Sequence, residues 1–486
     1  MRLAWIAVAV IGLGCGSKSH HPAGPSVPAV ARAYPAARWI PAKPTYVLAS
    51  KTVREGQRAL VDVIDSLSPL TDFDVAIARR LVERFLAVDA LSPDAVAAIG
   101  IDVEGGGVVF SEGVSPTLVV HVAAPDQLQA FFQQQRDRGL HAQSQIVDGA
   151  ELFTVQLEGK TAVSWVAVDD WLWVHIQLPV GTDTGTSWFT ASHRPAAATW
   201  TADWDWASAG KEPTLLGFFD VRGALAKLSE RVPEAIACTQ LLAPVSRSGF
   251  SVDSDGRSFR ARFALDVGAS GASIQAAVLP PPEGWSAVTG KAPLAAAWNL
   301  DLEATKRWLA PCAAAAKLDL AALPTQGVRA ARVVLQSFDP DDKSGAGAVA
   351  LDVTSKRALA SLLDQIPLRS KFESTAKFGP YTGKHLSIPF GPKLDYVLTD
   401  QVAFAAMGEG LLARLVGNGG PARTPSLLAI DLWPANLSRE AWLWLLEAID
   451  LPAPRITDQL MRWREVHIAV AIDGPRLVID LAGARK

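Results

Sequence analysis

Along most of this chain apolar residues recur either every second residue or every third and fourth, and the succession of these two periods predicts its elements. Thr45 to Ser50 reads as a strand, and Val53 to Leu67 as an amphipathic helix. Ile77, Leu81, Val82 and Phe85 share one face of a second predicted helix, Asp74 to Val88. Strands are then expected over Gly107 to Ser111 and Thr117 to Val122, followed by a short helix from Pro125 to Gln135. Gln143 to Val147 and Glu151 to Leu157 flank Asp148-Gly149, a dipeptide that favours a tight hairpin. Thr161 to Val168 and Trp171 to Ile176 pair in the same way around Asp169 and Asp170.

The order then starts again. Leu294 to Asn299 is a strand, Leu302 to Ala316 a helix, Val328 to Ser337 with Ala346 to Asp352 a hairpin, and Lys356 to Asp364 a short helix. Lys384 to Ile388, Tyr396 to Thr399 and Val402 to Ala406 follow, the last two around Asp400 and Gln401. Two shorter stretches match as well. Leu215-Leu216-Gly217-Phe218-Phe219-Asp220 parallels Leu427-Leu428-Ala429-Ile430-Asp431, each ahead of a helix and a hairpin that turns at Asp255-Gly256 or Asp473-Gly474. The pattern predicts an α+β protein, antiparallel sheets covered by helices, with an internally duplicated long-plus-short unit. The first repeat is placed at 39–290 (long unit 39–180, Trp-rich connector 181–211, short unit 212–290) and the second at 291–486 (long unit 291–416, short unit 424–486). The second long unit lacks most of the insert that carries the Asp74 to Val88 helix.

The first fifteen residues follow neither period. Arg2 precedes an unbroken apolar run, Leu3 to Leu13, which is too short for the ~20 residues that span a bilayer and has the length of a signal-peptide core. Gly14 is the small residue before Cys15, so Met1 to Cys15 reads as a lipoprotein signal with Cys15 as the lipid-bearing new N-terminus. Gly12 stands where Leu is usual, which leaves an ordinary secretory signal cut elsewhere as the alternative. Residues 16–38, with Pro25, Pro28 and Pro35, are expected to form an extended tether. Adjacent His20 and His21 lack further ligands and read as solvated linker.

Composition adds mainly exclusions. A net charge of −3 gives no basic field for nucleic acid or anionic headgroups. No later apolar run is long enough to span a membrane, so the chain is expected to be anchored rather than to cross. Cys238 and Cys312 lie in Ala-rich helical stretches of an oxidising compartment. They are either a disulfide, worth ~4 kcal/mol for a loop of this length, or two buried thiols.

Leu91-Ser92-Pro93-Asp94-Ala95-Val96-Ala97-Ala98-Ile99-Gly100-Ile101-Asp102 precedes two strands and a Pro-Asp helix. With the lipoprotein start and the later Thr214-Leu215-Leu216-Gly217-Phe218 strand, it resembles a group of lipoproteins of Gram-negative bacteria with large envelope proteomes, over most of the chain after the tether. The resemblance implies an α+β body and an envelope location, with no particular activity. Gly16 after the anchor cysteine, where Asp would mark inner-membrane retention, implies the outer membrane, facing the periplasm.

No zinc, nucleotide or nucleophile-elbow pattern is present, and no cofactor is called for. Gly105-Gly106-Gly107 opens a strand rather than a helix. Asp339 to Gly345 has three carboxylates, but Lys343 occupies a calcium-ligand position, and a solvated hairpin loop is expected. His121, His175 and His467 fall in strands, with no catalytic partner assignable to them. The connector Gly181 to Lys211 carries Trp188, Trp200, Trp204 and Trp206, which either pack onto the sheet or form a binding surface for an apolar ligand or envelope protein. The expected function is a membrane-anchored, non-catalytic binding module. The alternative is a carrier or chaperone for lipid or other apolar molecules, and a hydrolase is the weakest reading.

Overall fold

A computed structural model describes residues 33–41, 43–68, 74–86, 88–139, 141–157, 161–179, 188–189, 212–223, 245–315, 327–342, 344–363, 369–387, 389, 393–417, 426–449 and 451–486. The chain divides into two compact units, Met1–Lys227 with Arg247–Gly256, and Leu228–Ser246 with Arg257–Lys486. Each is an antiparallel sheet with helices against it, an α+β architecture.

In the first unit the strands are β1 (Tyr46–Ser50), β2 (Gly107–Ser111), β3 (Thr117–His121), β4 (Gln143–Val147), β5 (Ala150–Gln156), β6 (Ala162–Val168), β7 (Trp171–Gln177), β8 (Leu215–Phe219) and β9 (Ser248–Ser254). Their order across the sheet is β4-β5-β6-β7-β3-β2-β1-β8-β9. Sequence chemistry explains the connections. Asp148 and Gly149 have φ of 49° and 81°, and Asp169 and Asp170 of 51° and 62°, the left-handed pairs that a two-residue hairpin needs. Thr52 accepts a hydrogen bond from the Glu55 N–H at 3.1 Å and so starts the helix Val53–Leu67. Ser92 does the same for Pro93–Ala98.

Alternation along the strands divides this core in two. On one face Leu118, Val120, Leu172 and Val174 pack under Val96 and under Leu128, Phe131 and Phe132 of the helix Pro125–Asp137. On the other, Val47, Phe110, Val119 and Trp173 pack against Tyr34, Trp39 and Ile40 around the 3₁₀ turn Pro35–Trp39. The packed body therefore begins before the tether end expected at Arg38, because Tyr34 and Trp39 have a large apolar surface to bury.

The second unit contains β10 (Ser258–Asp266), β11 (Leu294–Trp298), β12 (Val328–Asp339), β13 (Ser344–Val353), β14 (Glu373–Phe378), β15 (Tyr381–Ser387), β16 (Lys393–Leu398), β17 (Val402–Met407), β18 (Leu428–Leu432), β19 (Trp463–Asp473) and β20 (Arg476–Arg485). The order is β14-β15-β16-β17-β13-β12-β11-β18-β19-β20-β10. From β14 to β19 this is the strand order of the first unit, and the registers coincide too. Leu48 pairs with Val109, Val109 with Leu118 and Leu118 with Val174; Ala296 pairs with Val333, Val333 with Val349 and Val349 with Ala405. The unit boundary falls at Gly256, inside the expected hairpin and not near 290, because β10 forms a nine-residue ladder with β20. β14 lies in a stretch for which the sequence pattern predicted no strand.

Beneath β11–β13 and β17, Ala295, Val334, Ala350 and Phe404 pack on Val288 of the helix Trp285–Thr289 and on Leu411, Leu412 and Leu415 of the helix Leu411–Val416. Arg332 is 1% exposed at the centre of this sheet. Its guanidinium donates to Asn299 Oδ1 (2.6 Å), Asp352 Oδ2 (2.7 Å) and the carbonyls of Leu279 (2.9 Å) and Pro280 (3.0 Å). Burial pulls its pKa below the ordinary arginine value, and Asp352 opposes that shift.

Candidate binding face

In an antiparallel ladder directly paired residues point to the same side of the sheet, so register assigns each side chain to a face. In the second unit Phe263, Ile479, Val470, Leu428 and Trp298 form one continuous row. Leu481, Ile468, Ile430, Ala296 and Val333 form the next, and it runs on to Val349. Both rows are apolar throughout. Val333 is 41% and Phe263 39% exposed, and the others named are partly exposed. On the reverse side the same strands carry Arg262 with Asp480, and Asp431 with His467. Among the described residues the apolar side of this part of the sheet is thus partly exposed.

The first unit shows how part of the corresponding face, over β3 and β7, is sealed. Leu118, Val120, Leu172 and Val174 are all buried, whereas their register equivalents Val349, Leu351, Ala403 and Ala405 are all partly exposed. Between the first helix and β2, residues 68–106 supply the helices Val75–Leu86 and Pro93–Ala98. The corresponding connection in the second unit is only residues 316–327. The helix after β3 spans 13 residues, Pro125–Asp137, and among the described residues its counterpart spans 8, Lys356–Leu363. Helices Arg439–Glu447 and Ala453–Leu460 cover one end of the face, where Trp442 packs with Leu294, Leu335 and Leu432. Sequence reading had found the shortened insert but not its consequence. The signal was available in β19, where Val466, Ile468, Val470 and Ile472 alternate with smaller or polar residues.

Of the residues singled out in the sequence, Trp188 is buried. It is 5% exposed, stacks on His175 (centroids 4.7 Å apart, planes at 11°) and lies 6.4 Å from Trp173. It is a core residue and no part of a displayed surface, because its ring fits against the aromatic side of the first sheet. Cys15, Cys238, Trp200, Trp204 and Trp206 lie outside the described residues. Cys312 falls in the helix Leu302–Ala315, with its side chain outside the description, so the bridge to Cys238 lies there too.

The strand histidines do have partners. His121 Nδ1 lies 2.9 Å from Asp102 Oδ2, His467 Nδ1 2.7 Å from Asp431 Oδ1, and buried His175 Nδ1 3.1 Å from Thr117 Oγ1. A further pair joins His385 Nδ1 and Asp395 Oδ1 at 2.6 Å. A carboxylate on Nδ1 orients an imidazole, but a base also needs a nucleophile beside it. The hydrogen bonds described for His121, His385 and His467 go to carboxylates, and that of His175 to the Thr117 hydroxyl. Asp339 Oδ1 accepts the N–H groups of Asp341 and Asp342, closing the hairpin tip as a local turn. Among the described residues no group of three or more His, Cys, Asp or Glu could hold a metal, and no helix is long and apolar enough to cross a membrane.

No protein-family model matches the chain, and no curated protein sequence matches it. Among solved structures, crystal form I of TP0453 is similar at 10% identity and a TM-score of 0.27, covering 48% of this chain and 78% of that one. Crystal form IV of TP0453 is similar at 12% identity and a TM-score of 0.28, covering 50% of this chain and 84% of that one.

Proposed function

We propose that this chain is a non-catalytic lipoprotein of the bacterial cell envelope, anchored through Cys15 in the outer membrane and facing the periplasm, whose C-terminal unit binds an apolar protein surface. The observation that carries this reading is the partly exposed apolar face of β10, β18, β19 and β20 running on to Val333 and Val349. In the first unit helices bury Leu118, the equivalent of Val349, and its neighbours on β3 and β7, so a helical apolar surface has a suitable shape for that part of the open face. On this reading the two units are copies of one ancestral unit, and the second became a binding module by losing the insert that closes the first. Shared strand order and register support the duplication. An open face of this extent is the kind of surface that marks an interaction site.

The test is native mass spectrometry of the full chain extracted from membranes, as wild type and as the double variant Phe263→Glu, Val333→Lys. Both positions are exposed, so the variant is expected to keep its melting temperature. The expected result is a bound protein mass in the wild type that the variant loses. A bound mass in the lipid range, lost in the same way, would replace this reading with the carrier. An identical set of bound masses in both proteins would dismiss the face as a binding site.

A further inference from the structure

The far edge of the first sheet carries a second surface. Among the described strands β4 (Gln143–Val147) pairs with β5 alone, so its other side is an edge. Val147 and Ala150 flank the two-residue turn, and with left-handed Asp148 and Gly149 between them they exchange both main-chain hydrogen bonds. Alternation then turns the N–H and C=O of Val147, Gln145 and Gln143 towards β5. Those of Ser144 and Ile146 point outward. Gln143 to Ile146 are all exposed, Ile146 at 68%, and no residue from Gln143 to Val147 carries a charge.

Edges of this kind are ordinarily guarded by charged side chains, bulges or proline. The equivalent edge of the second unit is guarded in that way. Its outward-bonding positions on β14 are Glu373, Thr375 and Lys377, since Phe378 and Tyr381 flank that turn. By register Ile146 occupies the place of Lys377, and Ser144 that of Thr375. One copy of the shared sheet thus bears charges at this edge and the other an exposed isoleucine.

We infer that β4 is a pairing edge for a second copy of this chain, joined antiparallel across a two-fold axis at Gln145. That symmetry sets Ser144 opposite the partner's Ile146, and Ile146 opposite the partner's Ser144. Both are hydrogen-bonded pairs, which gives four main-chain bonds using only the outward-pointing groups. Gln145 then faces its own copy as a non-hydrogen-bonded pair, with Cα atoms about 4.5 Å apart. No charge meets its like anywhere along the strand, which favours a self-pairing over a charged peptide. Five residues bury less than the ~1,000 Å² of a stable interface, so the pairing is weak and is best trapped covalently.

The experiment is oxidative cross-linking of the full chain in intact cells, with diamide as the thiol oxidant and a non-reducing gel as the readout. Gln145→Cys places two sulfurs within disulfide reach, whereas in Gln143→Cys the two Cα atoms lie roughly 14 Å apart along the strands, beyond bridging distance. Gln145→Cys is expected to give a band of twice the chain mass, at least tenfold stronger than that of Gln143→Cys or the wild type. Adding Ile146→Lys, the residue type at that place on the guarded edge, is expected to abolish it; circular dichroism checks that this surface variant remains folded. Equal cross-linking at 143 and 145, no dimer at 145, a dimer that survives Ile146→Lys, or a conjugate of Gln145→Cys with a different protein would each overturn the inference.

Discussion

Val120 and Leu351 occupy the same place in two sheets, yet one is 1% exposed and the other partly open to solvent. Each is reached from the central strand through the same pairs: Ser50 with Gly107 and Gly107 with Val120, Trp298 with Ala331 and Ala331 with Leu351. The larger side chain is the less buried of the two. Strand pairing therefore does not decide burial here; the helices laid over the sheet do.

That difference predicts unequal responses to the same truncation. Leu172, fully buried opposite Val120, is expected to cost ~2–5 kcal/mol on replacement by Ala, the range for a leucine cavity in a packed core. Leu351→Ala removes the same atoms from a partly hydrated site and is expected to cost under ~1.5 kcal/mol. Urea unfolding of the two variants measures both. Equal losses would mean that Leu351 is sealed in solution.

Arg332 gives a prediction of the opposite kind, in which one side chain satisfies several groups. Arg332→Leu strips Asn299 Oδ1, Asp352 and two carbonyls of their donor, leaving a carboxylate with 25% side-chain exposure unpaired. A loss of ~3–5 kcal/mol is expected, as for breaking one side of a buried pair. Asp352→Asn keeps a neutral acceptor in place and is expected to cost less. Chemical denaturation that ranked the two the other way would place the main interaction elsewhere.

Much of this architecture was legible in the chain. Asp148-Gly149 and Asp169-Asp170 marked their hairpins because few residues tolerate two successive left-handed conformations, and apolar periodicity marked the helix Val53–Leu67. The alternation of strands and helices was visible in the periodicity and the turn dipeptides. β14 was not, because Glu373 to Phe378 mixes charged and small residues at an edge where one side needs no apolar match. The three histidine–carboxylate pairs were hidden for a different reason. His467 meets Asp431 only through the register of β18 on β19, across 36 positions of sequence. The open face needed both facts at once, the register and the missing helices.

The anchor gives a prediction independent of the body. Cys15→Ser removes the thiol that would carry the lipid, and the protein is then expected to leave the membrane fraction or to accumulate unprocessed. Fractionation with fatty-acid labelling reads both outcomes. Unchanged membrane retention without label would assign the anchoring to another segment.

Trp188 gives a stability prediction for the first unit. Its ring stacks on His175 and borders Phe189, itself 0% exposed, so Trp188→Ala opens a large cavity on the aromatic side of the sheet. The expected loss is ~3–5 kcal/mol, followed by thermal melting. A melting temperature equal to wild type would return Trp188 to the surface.

Tyr34 links the start of the packed body to alkaline pH. Its hydroxyl donates to the Pro213 carbonyl at 2.5 Å, and burial pushes its pKa above the usual phenol value of 10, with the negative charges of Glu212, Asp253 and Glu55 adding to the shift. A raised folded-state value means that the native state holds this proton more tightly than the unfolded chain. The resulting stability is fully present below pH ~10 and is lost as the pH rises above it. Tyr34→Phe removes both the hydrogen bond and the titration. It is expected to lower stability at neutral pH by ~1–3 kcal/mol, the cost of leaving a buried acceptor unpaired, and to flatten this residue's share of the decline above pH 10. Unfolding curves at pH 8 and at pH 11 for both proteins supply the comparison. The gap between wild type and variant should narrow at the higher pH, and a gap that stays constant would show that the Tyr34 proton is not bound more tightly in the folded state.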